Sequence, residues 1–126
     1  MKTLLVVDDD KLLRDGLSAV LRRAGHNVLQ ADNGQAGLDA YLNNKPDLVV
    51  TDIHMPVMDG LQMLSQIRAD DDGALVPAII LSNDDSAETL NGALEAGVTV
   101  YLSKNSLDPA ELVSQVEIAL GNQPVS

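Results

Sequence analysis

The 126-residue chain contains no cysteine, which excludes a disulfide framework and a metal site built on thiolates. Basic residues are also scarce: 8 Lys and Arg stand against 19 Asp and Glu, and the formal net charge is -11 at pH 7. A surface of that sign argues against direct binding to nucleic acid or to an anionic membrane, since both require a basic surface. Cationic partners or metal ions fit this charge better.

A long apolar stretch is missing as well. Residues 4–7 are apolar, but acidic residues follow at once, so the N-terminus is too short and too soon charged for a signal peptide or a membrane span. The length and a hydrophobic fraction of 45% fit one domain with one core. We expect a soluble, cytoplasmic protein with one domain at residues 1–122 and a short tail, or the start of a linker, at 123–126.

Five short apolar runs, most of them rich in β-branched residues, are typical of strands that are buried on both faces. The runs are Leu4–Val7, Val28–Ala31, Leu48–Thr51, Ala78–Ser82 and Val98–Leu102. Between them, apolar residues recur about every 3.6 positions, which predicts helices with one buried stripe. This alternation with short links predicts a parallel sheet with helices on both faces, in which the first, third and fourth runs are central.

Residues typical of helix ends stand between the runs. Gly25 and Gly97 follow helical patterns, as is common after a helix C-terminus. Pro109 suits the first position of a helix. Two acidic pairs have the spacing of a capping box: Asp85 with Glu88, and Asp108 with Glu111.

Acidic residues stand at two strand ends, and in such sheets ligands bind outside the carboxyl ends of the strands. Asp8, Asp9 and Asp10 follow the first strand, and Asp52 ends the third. Neighbouring carboxylates would raise one another's pKa and destabilise the fold, whereas a hard divalent ion fits two or three of them. The sequence therefore predicts that Asp8, Asp9 and Asp52 form a Mg2+ site. Asp10 is interpreted as the N-cap of a helix that begins near Lys11.

A hydroxyl and an ammonium group lie beside the same crevice, because Ser82 ends the fourth strand and Lys104 follows the fifth. Each residue alone is typical of a turn or of a solvated surface. Together with the strand-end acids they indicate phosphoryl transfer, which needs a carboxylate nucleophile, a bridging metal and a lysine for the equatorial oxygens.

The stretches that carry this chemistry resemble the receiver domain of response regulators in two-component systems. They are Val6-Val7-Asp8-Asp9-Asp10, Asp52-Ile53-His54-Met55-Pro56-Val57-Met58-Asp59-Gly60, Ser82 and Tyr101-Leu102-Ser103-Lys104. The resemblance covers about residues 3–120. It implies a flavodoxin-like (βα)5 fold, an α/β doubly wound parallel sheet with strand order 2-1-3-4-5.

The resemblance also implies the phosphorylation chemistry. Asp52 would accept a phosphoryl group from a phosphohistidine on a sensor histidine kinase or a histidine phosphotransfer protein. Asp9 would bind Mg2+ directly, Asp8 would bind it mainly through water, and the main-chain carbonyl of His54 would complete the protein ligands. The His54 side chain is expected to point to solvent, since Mg2+ prefers oxygen.

The same resemblance implies the output of the domain. Lys104 would pair with phosphoryl oxygens, Ser82 would move to hydrogen-bond one of them, and Tyr101 would turn inward behind it. For Tyr101 the sequence leaves open a partly buried edge-strand aromatic with its hydroxyl in water. The signal would pass to an output domain or a downstream protein. A homodimer through the last helix-strand-helix face is also compatible with the resemblance. No enzyme activity is expected beyond catalysis of its own phosphorylation and dephosphorylation.

The chain departs from the family pattern beside the site. Asn105 stands where proline usually follows the lysine, and a cis peptide before a non-proline residue costs about 3 to 4 kcal/mol, so we predict a trans peptide. Lys104 should still reach the site by its flexible stem. Asn83 stands where alanine or glycine is usual and phosphodonors approach, so phosphorylation should be slower. His54 and Asp84 occupy positions that adjust the lifetime of the aspartyl phosphate, in either direction.

Two other functions remain open. A Mg2+-dependent aspartyl-phosphate phosphohydrolase, resembling the haloacid dehalogenase family, would use four residues in the same order: Asp8, Asp10, Ser82 and Lys104. Against it, no strand-end acid pair follows the lysine, no segment could cap a substrate, and the loop after Asp52 would be unexplained. A binding module that keeps the fold but works without phosphorylation is suggested by Asn83 and Asn105.

Overall fold

The computed structural model describes residues 2–121, within which five strands alternate with five α-helices. The strands are β1 (Thr3–Val7), β2 (Asn27–Ala31), β3 (Leu48–Thr51), β4 (Ala78–Ser82) and β5 (Val100–Ser103). The helices are α1 (Lys11–Arg23), α2 (Gly34–Asn44), α3 (Gly60–Ala69), α4 (Ala87–Glu95) and α5 (Pro109–Ala119). Short 3-10 turns occur at Asp71–Gly73 and Lys104–Ser106. The tail predicted at 123–126 lies outside the described residues.

The strands form one parallel sheet in the order β2-β1-β3-β4-β5, which confirms the predicted fold class and strand order. The strand order reverses between β1 and β3, where crossover connections leave in opposite directions. Val7 of β1 is in register with Thr51 of β3. The residues that follow these two strands, Asp8 and Asp52, are therefore neighbours at the carboxyl edge of the sheet.

The core lies on both faces of the sheet, because residues along each strand alternate between the two helical layers. In β1, Leu4 and Val6 pack in the cluster that includes residues of α1 and α5, and Leu5 and Val7 pack in the cluster that includes residues of α2 and α3. All four are at most 1% exposed. Helix α4 is packed more lightly, with Ala93 as its buried residue. The strands that precede the acids, β1 and β3, are thus deeply buried.

The helix ends follow most of the predicted signals. Asp10 caps α1 by accepting the Leu13 amide at 3.2 Å, as predicted. Asp108 caps α5, and Gly25 and Gly97 have positive φ angles of 101° and 79°.

The prediction that Asp85 caps α4 was wrong. The cap is Ser86, whose Oγ accepts the Thr89 amide at 3.3 Å. The physical reason is the preceding turn, in which the Asp84 carboxylate accepts the Ser86 amide and so places Ser86 directly before the first helical residue. The last strand also begins at Val100 rather than Val98.

A close approach between α3 and the end of β3 gives a test of this architecture. A β-carbon on Gly60 would lie 1.9 Å from the Asp52 carbonyl oxygen, whereas a β-carbon on Gly16 in α1 would meet nothing within 4 Å. We predict that Gly60→Ala lowers the free energy of unfolding by about 1–3 kcal/mol because of overpacking. The control Gly16→Ala should raise it by about 0.5–1 kcal/mol because alanine favours a helix interior. Urea unfolding measures both, and equal effects would contradict the close approach.

Candidate functional site

A lysine ammonium joins two buried carboxylates at the carboxyl ends of the central strands. Asp8 is 1% exposed and Asp52 is 9% exposed. The Nζ of Lys104, in the turn after β5, lies 2.9 Å from Oδ2 of Asp8 and 2.7 Å from Oδ2 of Asp52. Sheet hydrogen bonds fix both acids: the Asp8 amide donates to the Ala31 carbonyl. The Asp52 amide likewise donates to the Val7 carbonyl. The structure therefore brings the predicted acids and lysine into one pocket.

The charges in this pocket do not balance. Burial raises the pKa of Asp8 above its usual 3.8, although the Asp10 amide and the Lys104 ammonium oppose the rise. Burial also acts to lower the pKa of Lys104, but hydrogen bonds to Asp52 and Asp8 outweigh it, and the pKa lies above its usual 10.5. Lys104 therefore stays charged at neutral pH, and two buried acids share its one positive charge.

Asp9 completes a cluster of three acids. Carboxylate oxygens of Asp8, Asp9 and Asp52 lie within 4.8 Å of one another. Asp9 is exposed, so the cluster opens to solvent on its side. Three carboxylates beside one ammonium leave an excess of negative charge, and oxygen ligands at this spacing suit a hard divalent cation. The residues of the cluster thus fit the predicted metal site.

Two residues close to the acids in sequence have other partners. The Asp10 carboxylate caps α1. The His54 side chain is 67% exposed, and its Nε2 lies 2.8 Å from Oδ2 of Asp84. This position agrees with the prediction that the His54 imidazole points away from the metal site. The role of its main-chain carbonyl as a ligand stays a prediction.

The Asp84 carboxylate organises the loop between β4 and α4. It accepts the Ser86 amide at 3.0 Å and the Thr89 hydroxyl at 2.8 Å, in addition to its contact with His54. The Ser86 amide, followed by His54 and Thr89, holds the pKa of Asp84 well below its usual range. Sequence reasoning missed this role, although an Asp two residues before Ser86 has the spacing of an Asx-turn.

The backbone of Asp84 links Ser82 to Tyr101. Ser82 is 3% exposed, and its Oγ accepts the Asp84 amide at 3.0 Å. The Tyr101 hydroxyl donates to the Asp84 carbonyl, while the ring packs in the cluster of Ile53 and Ile80. Tyr101 is a partly buried residue of the edge strand, as the alternative had it, but its hydroxyl is bonded to protein rather than left to water. The switching role of Tyr101 stays a prediction.

The fold and the pocket define a doubly wound α/β protein with an acidic site at the switch point of its sheet. This chain belongs to the family of response regulator receiver domains, whose family model matches residues 4–117. The resemblance noted in the sequence is thereby confirmed. Within residues 2–121, helices long and apolar enough to cross a membrane are absent.

Curated relatives match this chain over part of their own length. Response regulator MprA of Mycobacterium sp. (strain KMS) is 40% identical over 101 residues, which are 80% of this chain and 43% of MprA. Transcriptional regulatory protein PrrA of Mycobacterium tuberculosis (strain ATCC 25618 / H37Rv) is 40% identical over 116 residues, which are 92% of this chain and 48% of PrrA. The chain therefore spans about half the length of these two relatives.

Solved structures share the fold closely. The CheY-like receiver domain protein of Methanospirillum hungatei JF-1 has a TM-score of 0.90 and 26% identity, covering 96% of this chain and 94% of its own. The receiver domain of the sensor histidine kinase PA1611 of Pseudomonas aeruginosa PAO1 has a TM-score of 0.88 and 27% identity, covering 96% of this chain and 98% of its own. In that structure a magnesium ion is coordinated in the active-site cleft.

The unbalanced pocket predicts an unusual stability effect. Asp8→Asn should raise the free energy of unfolding at pH 7 without added metal, by about 1–2 kcal/mol, because it removes a buried charge that Lys104 only half neutralises. The raised pKa of Asp8 means that the native state binds this proton more tightly than the unfolded state does. The wild type should therefore regain stability as the pH falls toward the pKa of Asp8. The difference in the free energy of unfolding between Asp8→Asn and the wild type should then become smaller. Urea unfolding at several pH values checks this, and a less stable variant at pH 7 would contradict it.

Proposed function

We propose that this domain is a phosphorylation-dependent signalling switch. It accepts a phosphoryl group on Asp52 from a phosphohistidine donor in a Mg2+-dependent reaction, and it then changes the face that partners bind. The observation that carries the proposal is the pocket itself, in which Asp52 lies beside Lys104 and within a cluster of three acids. A carboxylate nucleophile, a lysine and a metal site are the parts that this chemistry needs.

The three clustered acids, Asp8, Asp9 and Asp52, would hold the Mg2+ ion. When bound, the ion would neutralise negative charge on the attacking carboxylate and on the oxygens of the transferred group. Two observations support the proposed Mg2+ site. Carboxylates outnumber ammonium groups in this pocket. The similar receiver domain from Pseudomonas aeruginosa has a magnesium ion in its active-site cleft.

In the transfer step, a carboxylate oxygen of Asp52 forms a bond to phosphorus while the bond between phosphorus and the donor imidazole breaks. The electron pair of the broken bond returns to the imidazole nitrogen. Oδ1 of Asp52 accepts the Ile53 amide at 2.7 Å and Oδ2 contacts Lys104 at 2.7 Å, so both oxygens are oriented before the donor arrives. The ammonium of Lys104 would follow the negative charge from Oδ2 to the phosphoryl oxygens.

The switch would begin at Ser82. Its Oγ already accepts the Asp84 amide, so its hydroxyl hydrogen can donate to a phosphoryl oxygen. A phosphoryl group brings nearly two negative charges and three acceptor oxygens, which can draw the hydroxyl and its loop inward. Because the Asp84 carbonyl accepts the Tyr101 hydroxyl, movement of this loop would displace Tyr101. The face around α4 and β5 would change as a result.

A sensor histidine kinase or a histidine phosphotransfer protein would supply the phosphoryl group, and an output domain or a downstream protein would read the changed face. Catalysis would be limited to the phosphorylation and dephosphorylation of the domain itself. The phosphohydrolase alternative would need Asp10 beside Asp8 in the pocket, and the placement of Asp10 at the N-cap of α1 counts against it.

Phosphotransfer to named variants tests the proposal. Incubation with acetyl phosphate and Mg2+ should label the wild type by one phosphoryl group, visible as a mass increase in intact-protein mass spectrometry. Asp52→Asn should abolish the label because it removes the nucleophile. Asp59→Asn is the matched control, since Asp59 caps α3 outside the acidic cluster and asparagine caps a helix equally well. Equal labelling of the wild type and Asp52→Asn would refute the assignment, and a wild type that takes no label would favour the phosphorylation-independent module.

A further inference from the structure

The two positions at which this chain departs from the receiver pattern are bonded to each other. Asn83 directly follows β4, and Asn105 lies in the turn after β5. The Asn105 amide donates to the side-chain Oδ1 of Asn83 at 2.8 Å. The strands beneath are in register at Ser82 and Ser103, so the two loops leave the sheet side by side. The bond therefore ties the loop after Ser82 to the turn that carries Lys104.

This bond requires both Asn83 and Asn105. A proline at position 105 would have no amide hydrogen to donate, and an alanine or glycine at position 83 would have no side-chain acceptor. The peptide between Lys104 and Asn105 is trans, as the sequence predicted. The two asparagines thus form one local arrangement.

The turn that carries Lys104 needs such a tie. Its own closing bond, from the Leu107 amide to the Lys104 carbonyl, is 3.4 Å long and therefore weak. Asn105 and Ser106 are exposed, and the packing that anchors the turn comes from Leu107 at its end rather than from the residues next to the lysine. The Asn83 bond, at 2.8 Å, is the shorter contact and acts one residue from the lysine.

We propose that Asn83 is a positioning residue, which clamps the backbone at Asn105 and thereby aims the Lys104 ammonium at Asp52. The proposal rests on the proposed phosphoryl transfer, and it concerns how this chain positions the lysine for it. It also reverses the effect expected for Asn83 from size alone. As an obstacle to donors, Asn83 would slow phosphorylation, and its removal would speed the reaction. As a clamp, Asn83 supports phosphorylation, and its removal slows the reaction.

Two substitutions of Asn83 distinguish a residue that positions Lys104 from one that only obstructs the phosphodonor. Asn83→Leu keeps nearly the same bulk without the acceptor, and Asn83→Ala removes both. The clamp predicts that both variants phosphorylate roughly five-fold more slowly than the wild type, the effect of losing one hydrogen bond. Asn43→Leu on the exposed end of α2 is the matched control and should keep the wild-type rate. Phosphorylation rates are measured with acetyl phosphate and with phosphoimidazole at saturating Mg2+. The rates with the two donors should fall by the same factor, because the variants lose the positioning of Lys104 and not a contact with either donor.

Hydrogen exchange of the Asn105 amide detects its bond to the Asn83 side chain directly, in protein that is not phosphorylated. By NMR the amide should be protected in the wild type and in Asn83→Asp, which keeps an acceptor oxygen, and should exchange faster in Asn83→Leu. Urea midpoints of the variants should match the wild type, which separates positioning from a loss of folding. Faster phosphorylation of Asn83→Ala, a wild-type rate for Asn83→Leu or an unprotected Asn105 amide would overturn the clamp. A wild type that accepts no phosphoryl group would refute the proposed function instead, and the clamp's role with it.

Discussion

The arrangement of the site depends on one partly buried ammonium that two buried carboxylates share. Lys104 lies within 3 Å of both Asp8 and Asp52, at distances of 2.9 and 2.7 Å, at the edge where the strand order reverses. With Asp9 close by, the negative charge exceeds the positive charge. A pocket with this imbalance favours an added cation and responds strongly to an added anion, because the burial of Asp8 and Asp52 leaves their charges weakly screened. Both properties are useful to a domain that we propose to bind a divalent ion and then a phosphoryl group.

The surrounding contacts suggest how a local change could travel. Ser82, at the end of β4, and Tyr101, in β5, are bonded to opposite sides of one residue, Asp84. The carboxylate of that residue is in turn held by Ser86, Thr89 and His54. The loop is therefore a connected unit rather than a free segment, and α4, which it precedes, is the lightly packed helix of the fold. A unit tied together in this way can move as one body against a rigid sheet.

Sequence reasoning succeeded where backbone rules decide the outcome. Buried runs of β-branched residues predicted the strands, and parallel strands necessarily bring residues such as Asp8 and Asp52 to the same edge. It failed where side chains choose among several nearby partners. The choice of Ser86 over Asp85 as the cap, and the contact between His54 and Asp84, depend on the path of one loop. The bond between Asn83 and Asn105 depends on two loops at once, so neither departure from the pattern revealed the other.

We propose that Lys104 and a divalent cation neutralise the same acids. Calorimetric titration of Mg2+ into the wild type and into Lys104→Met tests this most directly, since methionine keeps the length of the stem without its charge. The account predicts saturable Mg2+ binding to the wild type and tighter binding to Lys104→Met, because the competing ammonium is gone. Identical affinities, or no binding to either protein, would contradict it.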